Sequence, residues 1–145
     1  MKNRLTTKRN IIKDAKHIDT KKESFIQKRY FEWVFENSEK YPELKTIFHI
    51  PNGLHTSNFG MIIHFKQMGL RKGVWDVFIP ISRSGYASCW IEFKREDVRR
   101  KLSPEQLEFK NLITQLTNNK ILFIVADTAE EAIKETVEYL GIDYD

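Results

Sequence analysis

The chain has 145 residues, is 41% hydrophobic and 12% aromatic, and carries a formal net charge of +4. This length and apolar content suffice for one domain with a core, and the low proline and glycine content excludes a low-complexity chain. A single cysteine, Cys89, excludes an intrachain disulfide framework and a thiolate zinc cluster.

The sequence contains no membrane or targeting signal that we can identify. The longest apolar run, residues 121–126, is too short to span a bilayer, and no apolar segment follows the basic start of the chain. We therefore expect a protein of the reducing cytoplasm that is neither secreted nor bound to a membrane.

Positive charge is concentrated at the start of the chain. Residues 1–22 carry +6 and the remainder carries −2. We predict a basic arm over residues 1–19, with Lys8 and Arg9 as candidate nucleic-acid-binding residues, followed by a single domain over residues 20–145. A solvated tail has the same charge pattern. A further alternative is that the arm docks on the body or on a second subunit through its apolar residues, Ile11, Ala15 and Ile18.

The first predicted helix covers about residues 21–37. Thr20 and Glu23 have the spacing of a capping box, and the apolar residues that follow recur on one helical face. Glu23 therefore has two interpretations: it caps this helix, or it reaches a carboxylate cluster further along the chain. Spacing alone favours the cap.

A short strand is predicted over residues 46–50, followed by a turn at residues 51–53. Ser57 or Asn58 then caps a helix that ends at Gly69. The nearby histidines have no metal-binding spacing, and we expect them to be surface or packing residues: His49, His55 and His64.

Four polar or basic residues of the body are candidate nucleic-acid contacts. Arg71 and Lys72 form a flexible basic approach to the next strand and can contact phosphate. Asn52 lies in the predicted turn, and Arg95 opens a charged loop.

A predicted hairpin carries the residues most indicative of chemistry. Residues 74–80 and 89–94 have strand patterns, with a turn signal at residues 83–85. Strand alternation places Glu92 and Lys94 on one face, and the hairpin brings Asp76 close to them. Two carboxylates and a lysine at one end of an apolar sheet are costly to bury without a partner, and a divalent cation would serve both carboxylates.

The last elements have clear helix signals. Ser103 and Gln106 form a second capping box, and Gln106 needs no other role. Residues 121–126 form an apolar strand of the kind buried on both faces, and a last helix runs from Thr128 to Gly141. We predict that the third helix packs through an apolar stripe, Phe109, Leu112, Ile113 and Leu116.

This element order predicts an α/β fold. A strand–helix–strand unit after a hairpin implies a right-handed crossover in a mixed sheet. Helices on both faces then give a three-layer α/β/α sandwich.

Five motifs occur in order between residues 23 and 140. They are Glu23-x-x-x-Gln27, Ile50-Pro51-Asn52-Gly53, Gly69-Leu70-x-x-Gly73-Val74-x-Asp76, Ile91-Glu92-Phe93-Lys94 and Leu102-Ser103-Pro104-Glu105-Gln106. A lone Glu-x-Lys occurs by chance, but the series resembles the VRR-NUC (virus-type replication-repair nuclease) branch of the PD-(D/E)xK superfamily, particularly its small stand-alone phage and bacterial members. The resemblance implies a restriction-endonuclease-like core. Trp75 departs from the pattern, because the family usually has proline there.

The resemblance also implies a metal site and its residues. It implies Mg²⁺ or Mn²⁺ as cofactor, bound by Asp76, Glu92 and the backbone carbonyl of Phe93, with Glu23 contributing. Gln106 would lie beside this site. The implied catalytic residues are therefore Glu23, Asp76, Glu92, Lys94 and Gln106.

Lys94 is sometimes described as a general base in such sites. The adjacent carboxylates favour its ammonium form. We therefore expect it to hold the attacking water and to stabilise the charged transition state.

The function that these observations indicate is a metal-dependent, structure-selective DNA endonuclease with a role in DNA repair, with Holliday-junction resolution as a specific hypothesis. We expect a homodimer, because a symmetric four-way junction needs two cuts across a two-fold axis. The alternatives are a flap- or nick-processing nuclease, a catalytically silent nucleic-acid-binding module and a purely structural interaction protein.

Overall fold

The computed structural model describes residues 19–51, 57–97 and 100–144. The described residues form four α-helices, one 3₁₀ helix and four strands. In chain order these are α1 (Glu23–Asn37), the 3₁₀ helix (Pro42–Thr46), β1 (Phe48–His49), α2 (Phe59–Gln67), β2 (Val77–Ile79), β3 (Ser88–Phe93), α3 (Pro104–Leu116), β4 (Ile121–Ala126) and α4 (Ala129–Leu140).

The four strands form one mixed sheet in the order β1-β2-β3-β4. β1 pairs with β2 and β2 with β3 in antiparallel orientation, whereas β3 and β4 are parallel. The predicted hairpin is therefore present as β2 and β3. Its register pairs Val77 with Ile91 and Ile79 with Cys89.

Helices α1 and α4 cover one face of the sheet. The β3 side chains on this face, among them Ile91 and Phe93, are fully buried. The ring of Tyr30 in α1 lies 5.5 Å from that of Phe93, and its hydroxyl forms a 2.9 Å hydrogen bond with Thr136 of α4. This bond joins the two helices above the core.

Helix α3 covers the opposite face. Phe78, Trp90 and Phe123 lie side by side in the sheet register. Phe109 of α3 packs edge-on against Trp90 and Phe123, at centroid distances of 5.3 and 6.4 Å. With helices on both faces, the predicted three-layer α/β/α sandwich with a mixed central sheet is confirmed.

The predicted apolar stripe of α3 is wrong in its second half. Leu112 is 52% exposed and Leu116 is 73% exposed, and α3 has no buried residue. Helix α3 makes its aromatic contacts with the sheet through Phe109, one turn before the first of these leucines. The two leucines themselves lie on the protein surface. They line a surface groove of about 520 Å³ beside Arg71 and Lys72.

Four helix boundaries follow the predicted caps. The Asn58 side chain accepts a hydrogen bond from the Met61 N–H and caps α2. Ser103 and Gln106 form the full capping box of α3. Thr128 caps α4, and Gly141 ends it in the left-handed conformation, which glycine adopts without strain.

The predicted cap of α1 is wrong. The helix begins at Glu23, its N-cap is Lys22, and no side chain caps it. Just before the helix, Asp19 Oδ1 instead accepts a hydrogen bond from the Lys21 N–H at 3.1 Å. Glu23 is therefore the first helical residue and does not occupy the third position, where a capping-box acid lies.

Two predicted strands are shorter than expected. The segment predicted as a strand over residues 46–50 begins inside the 3₁₀ helix, which Pro42 starts, and only Phe48–His49 is extended in the sheet. The strand predicted over residues 74–80 is reduced to Val77–Ile79. The N–H of Asp76, just before that strand, donates to a side chain of β3.

None of the described helices is both long enough and apolar enough to cross a membrane.

Candidate active site

Asp76 and Glu92 meet at the open end of the β2–β3 hairpin. The backbone N–H of Asp76 donates to Glu92 Oε2 at 3.2 Å, and the N–H of Phe93 donates to Asp76 Oδ2 at 3.0 Å. Each carboxylate thus accepts a hydrogen bond from a backbone N–H at or next to the other acid. The predicted proximity of these two residues is confirmed.

A lysine and a glutamine complete the cluster. Lys94 Nζ lies 3.3 Å from Glu92 Oε1 and donates to Gln106 Oε1 at 2.8 Å. The Gln106 amide nitrogen donates to Glu92 Oε1. Glu92 is 2% exposed and Lys94 8%, so these two side chains lie almost entirely out of water, whereas Asp76 and Gln106 are half-buried.

Gln106 links the cluster to helix α3. Its side-chain oxygen also accepts from the Ser103 N–H at 2.9 Å, which is the return bond of the capping box. One amide therefore caps the helix and contacts both Glu92 and Lys94. The role of Gln106 in catalysis stays a prediction.

Burial makes negative charge costly here. It raises the pKa of Glu92 to about 8, and the neighbouring Asp76 carboxylate adds to the shift, while Lys94 opposes it. Burial also raises the pKa of Asp76. Lys94 supplies one positive charge against two carboxylates, so the site favours the binding of further positive charge.

The donor set fits a divalent cation. The carboxylates of Asp76 and Glu92 and the backbone carbonyl of Phe93 are oxygen donors, the ligand type that Mg²⁺ takes. The described ranges contain no group of three or more His, Cys, Asp or Glu side chains arranged to hold a metal. The candidate set is therefore two carboxylates and one carbonyl, and the burial of Glu92 beside a second carboxylate is the observation that supports a cation.

Glu23 lies apart from this cluster. It is exposed on the first turn of α1. In the described part of the chain it has no hydrogen bond or ion pair with Asp76 or Glu92, and it shares a shallow surface depression with Lys22, Ser24 and Arg95. Its contribution to a metal site stays a prediction.

The predicted nucleic-acid contacts differ in their exposure to solvent and in whether a carboxylate pairs with them. Arg71 and Lys72 are exposed, and Lys72 Nζ lies 3.0 Å from Glu105 Oε1. Arg95 is paired with two carboxylates, those of Asp19 and Asp97, each at 2.7 Å. Three further candidates lie outside the described residues: Lys8, Arg9 and Asn52.

His49, which the sequence predicts to be a surface or packing residue, is a neighbour of the site. Its Nδ1 lies 2.7 Å from the backbone oxygen of Asp76, which also accepts from the Ile50 N–H at 2.8 Å. The pairing of β1 with β2 places it there, with His49 opposite Val77. Only knowledge of this strand order would have identified it.

The three-layer fold with its mixed central sheet belongs to the restriction-endonuclease-like α/β class. No protein-family model and no curated protein matches the chain. Among solved structures it is similar to one described as a "VRR_NUC domain protein", with a TM-score of 0.62 and 26% sequence identity over 85% of this chain and 92% of that chain. The chain has the VRR-NUC fold.

Proposed function

We propose that this protein is a metal-dependent, structure-selective DNA endonuclease that hydrolyses phosphodiester bonds in DNA repair. The observation that carries the proposal is the buried contact between Asp76, Glu92, Lys94 and Gln106 in a VRR-NUC fold. A binding module or a structural protein gains nothing from a buried acid, Glu92, held beside a second, half-buried acid, Asp76. These acids favour a catalytic role over both of those alternatives.

Asp76, Glu92 and the Phe93 carbonyl would hold Mg²⁺ or Mn²⁺, and we propose Glu23 as a further ligand. The cation supplies charge neutralisation at the phosphodiester and makes a nearby water more acidic. The protein supplies the fixed geometry. The Phe93 N–H orients Asp76, and the Gln106 amide orients Glu92.

Lys94 acts as a fixed positive charge in this proposal. Glu92 and Gln106 hold its ammonium group from two sides, at 3.3 and 2.8 Å. A donor fixed in advance stabilises negative charge that develops on phosphate oxygens without having to reorganise during the reaction. Lys94 also donates a hydrogen bond that orients the attacking water.

The proposed substrate is branched DNA, with the Holliday junction as the specific case. A junction resolvase acts as a homodimer, because each domain has one cleavage site and the junction needs two symmetric cuts. The described helices and the residue that follows α2 expose apolar side chains that a second copy would cover, namely Phe59, Met68, Leu112 and Leu116. Flap or nick cleavage needs no second copy. We propose the cytoplasm as the site of action.

Incubation with a panel of end-labelled DNAs tests this function. The panel contains a four-way junction, a flap, a nicked duplex, an intact duplex and a single strand, each with Mg²⁺, Mn²⁺ or EDTA. We expect paired cuts in the junction with either metal and none with EDTA. Cleavage of flap or nick alone, by a protein that sediments as a monomer, would replace the resolvase with the second candidate. Binding without cleavage of any DNA would overturn the nuclease proposal.

A further inference from the structure

The segment before Asp76 lies directly against the first turn of α3. Gly73 has a φ of +92°, and a Cβ at this position would come within 2.5 Å of the backbone oxygen of Glu105. Only glycine therefore allows this approach without a shift of one backbone. Two residues later, the indole Nε1–H of Trp75 donates to the backbone oxygen of Gln106 at 3.1 Å.

Trp75 is itself firmly held. It is fully buried, and its ring packs edge-on against Phe123 of β4 at a centroid distance of 4.9 Å. A buried indole N–H needs an acceptor, and the Gln106 carbonyl supplies it. The tryptophan thus connects the sheet to the helical turn that carries Gln106, 31 residues away in the chain.

The bond from Trp75 fixes the helical turn from which the Gln106 side chain contacts Glu92 and Lys94. Gln106 Oε1 accepts from Lys94 at 2.8 Å and from the Ser103 N–H at 2.9 Å, and its amide nitrogen donates to Glu92. A small movement of this turn would change the contacts with Glu92 and Lys94 together. Holding catalytic groups within a fraction of an ångström depends on such supporting contacts.

We propose that Trp75 is a positioning residue that holds Gln106, through the first turn of α3, in contact with Glu92 and Lys94. Gly73 provides the close approach of the two backbones that this contact needs. The catalytic consequence rests on the proposed nuclease function, whereas the structural coupling from Trp75 to Gln106 does not.

Two measurements on the full chain test the coupling without any activity. In ¹⁵N-labelled wild-type protein we expect slow hydrogen exchange of the Trp75 indole N–H. We also expect Trp75→Phe, which keeps an aromatic ring and removes the donor, to shift the side-chain amide resonances of Gln106, assigned with Gln106→Ala. The matched control is Trp33→Phe on the opposite face, because Trp33 is buried and its Nε1 has no hydrogen-bond partner in the described part of the chain. A fast-exchanging indole would overturn the proposal even if Trp75→Phe does not fold.

Kinetic measurements then test whether Trp75 affects the site through Gln106. We expect Trp75→Phe to lower kcat about five- to tenfold, the effect of one lost hydrogen bond, with KM changed less than about twofold. In a Gln106→Ala background the same substitution should have no further effect on kcat, because the positioned side chain is already absent. Additive losses, or an amide spectrum unchanged from wild type, would show that Trp75 is only a core residue. If the wild type cleaves no DNA, the nuclease proposal fails while the exchange and amide measurements still decide the coupling.

Discussion

The backbone N–H of Asp76 donates a 3.2 Å hydrogen bond to the carboxylate of Glu92, so the two acids approach one another before any cation is considered. Glu92 is almost fully buried, and burial raises the pKa of both. Two negative charges this close together and partly buried raise the free energy of the folded protein. Binding of a metal ion or of a proton removes that cost.

Loss of either acid should abolish cleavage without unfolding the protein. We expect Asp76→Ala and Glu92→Ala each to lower kcat by on the order of a thousandfold, because each removes a proposed ligand of the cation. Both variants should still unfold in a cooperative thermal transition, since the loss of one acid also removes its contribution to the negative charge of the site. Nuclease assays and thermal melts check this. The control is Glu138→Ala, at an exposed position of α4, and an active Asp76→Ala protein would contradict the assignment.

The stability of the metal-free protein should fall as pH rises. The pKa of Glu92 is about 8 in the folded protein against an ordinary value of 4.5, so between these values the folded state binds more protons than the unfolded state. The free energy of unfolding therefore decreases across that window. Melting temperatures in EDTA from about pH 5 to about pH 9 measure the effect. We expect Glu92→Gln to flatten the profile and Glu138→Gln to leave it unchanged, whereas parallel profiles for all three proteins would be inconsistent with a shifted Glu92.

Much of the candidate site could be predicted because its signals are local. Strand alternation places Glu92 and Lys94 on one face, and a short hairpin returns Asp76 to them. The capping box of Ser103 and the N-cap at Thr128 are equally local, and the structure has both.

The remaining features depend on contacts distant in sequence or on local competition. The exposure of Leu112 and Leu116 follows from where α3 meets the sheet, which periodicity does not specify. The start of α1 was mispredicted because the Asp19 side chain bonds the nearby backbone. The contact from Trp75 to Gln106 has no sequence signal at all.

The substitution Glu23→Gln tests whether Glu23 is a metal ligand or an ordinary surface residue. Glu23 does not cap α1 by a side-chain bond and is exposed, so the substitution should leave the melting temperature unchanged. If Glu23 contributes to the metal site, cleavage should fall at least about tenfold and the apparent affinity for Mn²⁺ should decrease. The matched control is the exposed neighbour, Ser24→Ala. Normal cleavage and normal Mn²⁺ affinity would remove Glu23 from the site.

Removal of residues 1–18 tests the basic arm while keeping Asp19, which pairs with Arg95. We expect weaker DNA binding and a slope of log K against log salt that is flatter by about two to four units, since each phosphate contact contributes roughly −0.9. Cleavage at saturating enzyme and low salt should persist. Binding titrations at several salt concentrations, with a thermal melt, decide the matter. An unchanged slope together with a lower melting temperature would instead support docking of the arm through Ile11, Ala15 and Ile18.

Cleavage of an end-labelled four-way junction by wild type and by Asp76→Ala, each with Mg²⁺ and with EDTA, tests the central claim most directly. The proposed metal-dependent nuclease predicts products only from the wild type with Mg²⁺. Equal products from Asp76→Ala, or products from the wild type in EDTA, would contradict it.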